Sequence, residues 1–215
     1  IPLQVVWSKE MLTNSERLLQ AEGSPDKLED TIRLSLLNVT ADVGKGLCLL
    51  QDSDAKPHQL GLELVCSKSI ISAGGSNLVE HVGVNDYQDY KMDSLFLRGD
   101  YNVYEDVATF WQISAADSSE PGHDWPTWSE RLRMGAGMPS SISPIGWMKL
   151  RSDVAGVPAH QRTVEDYVIN VDEPGAATTG EVSGPNIIGV RSEALPALPS
   201  ETIELTPELD SSVET

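Results

Sequence analysis

The sequence predicts an all-β domain, a single β-sandwich or jelly roll, and three observations point there. From Thr31 to Ser67 apolar residues fall at every second position, as Ile32, Leu34 and Leu36 and again as Leu60, Leu62 and Leu64, the spacing that sets side chains on one face of a pleated strand. The apolar runs are separated by Gly, Asn and Asp clusters with turn chemistry, such as Val43-Gly44-Lys45-Gly46 and Asp52-Ser53-Asp54. No long helical pattern lies between them, so the strands do not alternate with helices as in a parallel α/β sheet.

Composition bounds the function. With 215 residues, 40% of them hydrophobic and 22% charged, the chain is long enough for one well-buried core. No apolar run approaches the ~18 residues of a membrane-spanning helix. Fifteen basic against 33 acidic residues give a net charge of −18, a field that repels phosphate backbones, so direct nucleic-acid contact is disfavoured. The opening Ile1-Pro2-Leu3-Gln4 has neither an initiator Met nor a signal pattern, which predicts a processed product. The two cysteines, Cys48 and Cys66, fall in separate predicted strands and read as small buried hydrophobes in a reducing compartment.

Taken in order, residues 1–30 form an N-terminal segment. Leu3 to Trp7 could add a strand to a sheet edge, and a short helix is expected over Ser8 to Glu22, with Ser8 as its N-cap and Met11, Leu12, Leu18 and Leu19 at helical spacing. Residues 31–172 form the β body. After the strands of 31–67, Ala73-Gly74-Gly75-Ser76-Asn77 is a turn cluster leading to a strand with Leu78, Val79, Val82 and Val84. Asn85 to Asp93 reads as an exposed connection, Leu95 to Leu97 as a short buried strand, and Tyr101 to Ser114 as a long strand or a hairpin. The span 115–141 is a long loop with a helical piece at Trp128 to Met134; Ile142 to Leu150 and Val164 to Val171 complete about eight strands. Residues 173–215 carry five prolines and eight acidic residues against the single Arg191, and read as an extended arm that cannot build its own core but offers Ile187, Ile188, Val190, Leu195 and Leu198 as anchors on other subunits.

No residue set specifies catalysis, and no catalytic, cofactor or metal residue is assigned. Asp52-Ser53-Asp54 has the form of the Asp-x-Asp element that holds a divalent metal in glycosyltransferases, but no βαβ context surrounds it and turn chemistry explains it. The histidines, His58, His81, His123 and His160, lack metal or elbow spacing. Gly74-Gly75-Ser76 and Gly135-Ala136-Gly137 lack the Lys of a phosphate loop, and Asn38-Val39-Thr40 is a formal glycosylation acceptor inside a predicted strand. Trp125, Trp128 and Trp147 could make a sugar-stacking platform, though such residues usually fill cores or interfaces.

The block Gly44-Lys45-Gly46-Leu47-Cys48-Leu49-Leu50-Gln51-Asp52 resembles the early strands of capsid proteins from picorna-like plant viruses, comoviruses and cheraviruses among them. What the resemblance implies is an eight-stranded jelly roll, a structural protein of the virion that assembles with other processed capsid subunits into an icosahedral shell around RNA in the host cytoplasm, without enzymatic activity, cofactor or membrane contact. A carbohydrate-binding β-sandwich and a phage or bacterial surface structural protein are the alternatives.

Overall fold

Alternating strands separated by two-residue corners can either fold back on one another or wind into coils, and here they wind. In a computed structural model the described residues are 3–8, 11–14, 16–26, 31–93, 95–116, 122–134, 141–142, 145–149, 151–158 and 161–168. The strands are β1 (Gln4–Ser8), β2 (Met11–Asn14), β3 (Leu19–Glu22), β4 (Thr31–Leu37), β5 (Thr40–Val43), β6 (Cys48–Gln51), β7 (Gly61–Ser67), β8 (Ile70–Val82), β9 (Leu95–Asp100), β10 (Val103–Ser114) and β11 (Ser141–Ile142). Three helices accompany them, α1 (Tyr87–Asp93), α2 (Trp125–Met134) and α3 (Arg151–Ala155), with a 3-10 turn at Val164–Tyr167.

Every pairing between these strands is parallel, and apart from β10 with β11 no described strand pairs with its neighbour in sequence. Partners lie 29, 30 and 33 residues apart (4 to 33, 31 to 61, 62 to 95), so each strand stacks on the one a full coil earlier. This is a β-solenoid. One face is β1-β4-β7-β9; the second is β2-β5-β8-β10-β11; the third is β3-β6 continued by the later halves of β8 and β10, which run round the corner without a break.

Side chains that alternate inward form rows up the stack: Val5, Leu34, Leu64 and Leu97 on the first face, Leu12, Ala41, Ile71 and Tyr104 on the second, Leu19, Cys48, Val79 and Trp111 on the third. Leu34, Ala41, Ile71 and Val79 are fully buried, and each of the three larger aliphatics, Leu34, Ile71 and Val79, contributes roughly 1.5–3 kcal/mol.

The first corner repeats in three coils with one geometry. Asn38, Lys68 and Tyr101 hold φ of 52°, 52° and 53°, the left-handed conformation that turns the chain through an angle without reversing it. The residues after them, Val39, Ser69 and Asn102, point inward and are buried. The Val39 N–H donates to Ser69 Oγ (3.2 Å), the Ser69 N–H donates to Asn102 Oδ1 (3.1 Å), and Asn102 Nδ2 donates to the Cys66 carbonyl (2.7 Å). This chain of bonds satisfies backbone groups that the corner removes from the sheet ladder. At the second corner Gly46 (φ 89°) must be glycine, because a Cβ there would lie 1.8 Å from the Asn77 carbonyl oxygen of the next coil.

Beyond β10 the chain closes the far end of the stack. Helix α2 packs on β9 and β10, and Trp128, buried, sets its ring 5.5 Å from Phe110, which meets Tyr104 edge-on at 5.3 Å. The following segment lies outside the second face, where Ile145, Trp147, Val154 and Tyr167 cover the outward Ile70 and Val103. Glu105 fastens it by accepting from the Ile145 N–H and from Trp147 Nε1, both at 2.7 Å.

The all-β class stands, but the jelly roll is corrected, since a jelly roll is built of antiparallel strands and this fold of parallel coils. The helix expected over Ser8 to Glu22 is instead β2 and β3, whose apolar residues are needed inside the first coil. The connection at Asn85 to Asp93 contains α1, and its Tyr87 and Tyr90 are buried. Ala73 to Asn77 is a bend within β8, and Tyr101 to Ser114 is largely one strand. Of the strand expected over Ile142 to Leu150, Ile142 ends β11 and residues 145–149 form no strand; of that over Val164 to Val171, Val164–Tyr167 is the 3-10 turn, and residues 143, 144, 150 and 169–171 lie outside the described set; the helix at Trp128 to Met134 is part of α2. The boundary at Asp172 and the arm 173–215 lie outside the described residues.

The corner chain predicts that Asn102→Ala, which removes the acceptor of the buried Ser69 N–H and a donor to the Cys66 carbonyl, lowers unfolding stability by about 1–3 kcal/mol in urea titration.

Candidate interaction site

The residues singled out for chemistry are mostly absorbed by the coils. Asp52 leaves β6 at the third corner, where connections of different length join the coils, and its carboxylate is occupied by protein donors. The Val84 N–H donates to Oδ1 (2.6 Å), while the Tyr90 hydroxyl (2.7 Å) and Asn85 Nδ2 (2.9 Å) donate to Oδ2. Gly83 permits this approach, because a Cβ there would come within 1.8 Å of Asp52 Oδ1. Asp52 therefore ties two successive third-corner connections together; Asp54 is an exposed turn residue that shares none of those bonds. Among the described residues no group of three or more His, Cys, Asp or Glu could hold a metal ion.

His81 is the polar member of an inward row otherwise made of Ala21, Leu50 and Ile113. It is fully buried, and its Nδ1 accepts from Trp111 Nε1 at 2.8 Å, which fixes the proton on Nε2. Trp111 stacks on His123 at 4.8 Å. The Nε2 of His81 has no hydrogen-bond partner, and burial pushes the imidazole pKa down to about 3, so it stays neutral. Its neighbours are apolar or aromatic, which suits a core residue and not a proton carrier. His58 makes an isolated bridge with Ser24, and His160 lies outside the described residues.

Cys48 and Cys66 are free, buried and on different faces of the coil; burial raises both thiols, Cys66 up to about 12. Trp128 and Trp147 are buried, so they offer no sugar platform, and the side chain of Trp125 is not among those described. Asn38 occupies the left-handed corner position, Gly74-Gly75-Ser76 forms the bend of β8, and residues 135–137 are outside the described set.

What the coils leave over is their first end. Val5, Trp7, Leu12, Leu18, Leu19 and Ala21 point into the stack yet remain half-buried, whereas the corresponding residues one coil on are buried. Among the described residues no strand pairs with the outer edges of β1, β2 and β3. Those three strands hold one charged residue, Glu22, whose carboxylate is held low by an ion pair with Lys56 of the next connection. Glu16 and Arg17 likewise reach up the stack, to Lys45 (2.7 Å) and Glu80 (2.6 Å). Beside this end lies a cleft of about 410 Å³ between Leu3, Ala21, Ile32 and Leu60. The arrangement is an apolar end face with unpaired strand edges, which sequence reasoning missed because it assigned β2 and β3 to a helix.

The neutral His81 makes stability fall with acid. The unfolded chain takes up a proton near pH 6.5 that the folded one refuses until about pH 3, so the stabilisation present above pH 6.5 is lost as pH falls through that window. In urea titrations the native chain should lose about 2 kcal/mol more between pH 7 and pH 5 than His81→Gln, whose amide oxygen can still accept from Trp111; equal losses would show that His81 is not the proton site. Compared with known proteins, the chain matches no family model, no curated protein and no solved structure.

Proposed function

We propose that this chain is a structural module of a viral or cell-surface assembly, that it carries no chemistry of its own, and that its first coil is the contact through which it assembles. The observation that carries this reading is the contrast between the two ends of the stack. One end is closed by Trp128 and α2; at the other, coil residues of the same inward rows are half-exposed along unpaired edges. Solenoids depend on neighbours or caps to cover their end coils, so an end left open is a place for another surface. The icosahedral capsid subunit implied by the resemblance assumed an antiparallel sandwich; the structural class carries over, and the coil stack fits the phage or bacterial surface alternative better than a shell-forming jelly roll.

Sedimentation tests it. The native chain should run well above its 23.3 kDa monomer mass at micromolar concentration, alone or with the proteins that co-purify with it. Trp7→Lys, which places a charge on the open end, should run as a monomer with its β-sheet circular dichroism retained. A native chain that is monomeric under all these conditions would overturn the reading.

A further inference from the structure

We infer that the open end of the solenoid is covered by the same end of a second copy, in a closed two-fold dimer; this rests on the assembly reading above and names its partner. Like must meet like here, because α2 closes the other end and prevents head-to-tail stacking. A contact of one surface with itself requires two-fold symmetry and stops at two copies.

The first coil is self-complementary under that symmetry. An axis through the middle of β1 and perpendicular to the stack sets β1 antiparallel to β1 of the second copy, with Val6 at the centre. Val5 then faces the second copy's Trp7, so that small meets large on the inward side at both crossings. The same rotation lays β2 against the second copy's β3, and both are four residues long. Val6 points outward and is 55% exposed, and on the axis it packs against its counterpart.

Charge agrees. Two chains of −18 repel each other, but the strands of this end hold one charged residue, Glu22, and Glu16, Arg17 and Glu22 are already paired within their own chain. Strands β1, β2 and β3 hold none of the lysines or prolines with which exposed strands usually discourage pairing.

Symmetric cross-linking tests the proposal. Val6→Cys should form an intermolecular disulfide under mild oxidation, because the two positions meet on the axis, while Ser35→Cys, one coil further along the same outward row, should not. The native cysteines are buried and give no background in the folded chain. Val6→Lys, an outward substitution that the isolated coil tolerates, should halve the mass from twice 23.3 kDa to one chain with an unchanged circular dichroism spectrum. If Trp7→Lys breaks an assembly but Val6→Cys does not cross-link, the end is an interface for something other than its own copy, and the two-fold dimer is overturned while the assembly reading stands. A native chain of single mass in every condition overturns both.

Discussion

Everything in this fold depends on keeping corresponding residues of successive coils in register. Each inward side chain rests on the one a coil below, so a residue such as Leu34 is buried only because Val5 and Leu64 lie beneath and above it. The corners hold that register. With Asn38, Lys68 and Tyr101 in one conformation and Val39, Ser69 and Asn102 joined by hydrogen bonds, the three coils cannot slide past one another without leaving buried donors unpaired. Tyr101 and Lys68 hold a conformation that costs such residues roughly 1 kcal/mol, which is sustained because the corner bonds and the neighbouring coils determine it.

That same constraint explains how little of the path was legible. Alternation showed which residues of 31–67 face inward, and Ile32, Leu34, Leu36, Leu62 and Leu64 are indeed buried. Alternation does not say whether a strand pairs with its predecessor or with one a coil earlier, since both leave the period of two unchanged. The repeat that would have decided it is masked chemically. Equivalent corner residues are Val39, Ser69 and Asn102, and equivalent core residues are Leu50, His81 and Ile113, with connections that change the spacing from 29 to 33. Met11, Leu12, Leu18 and Leu19 imitated a helix because two short strands around a corner can bring apolar residues to helical intervals.

The site was legible mainly by exclusion. Asp52 has the form of a metal ligand or turn residue in sequence, yet its carboxylate accepts from Val84, Asn85 and Tyr90, 32 to 38 residues away, and nothing in the sequence indicated those donors. Such long-range ties join separate connections and have no local pattern. Burial of Tyr90 against this carboxylate raises its hydroxyl pKa well above the ordinary value, so the phenol remains a donor at any physiological pH and the tie holds.

A stack of parallel coils has no lateral edges, only ends, and each end must be treated differently from the body. At the far end the treatment is covalent with the fold: a helix carrying Trp128 covers Phe110 and Tyr104, and an outer segment seals Ile70 and Val103. At the near end there is no such device among the described residues, and Glu16, Glu22 and Arg17 pair up the stack with Lys45, Lys56 and Glu80. On the proposed dimer, repulsion between chains of −18 would do part of the work of a guarded edge, since the three end strands carry only Glu22. On the assembly we propose, high net charge and a half-buried apolar end would be two parts of one arrangement, the field disfavouring most encounters and the end face providing the contact.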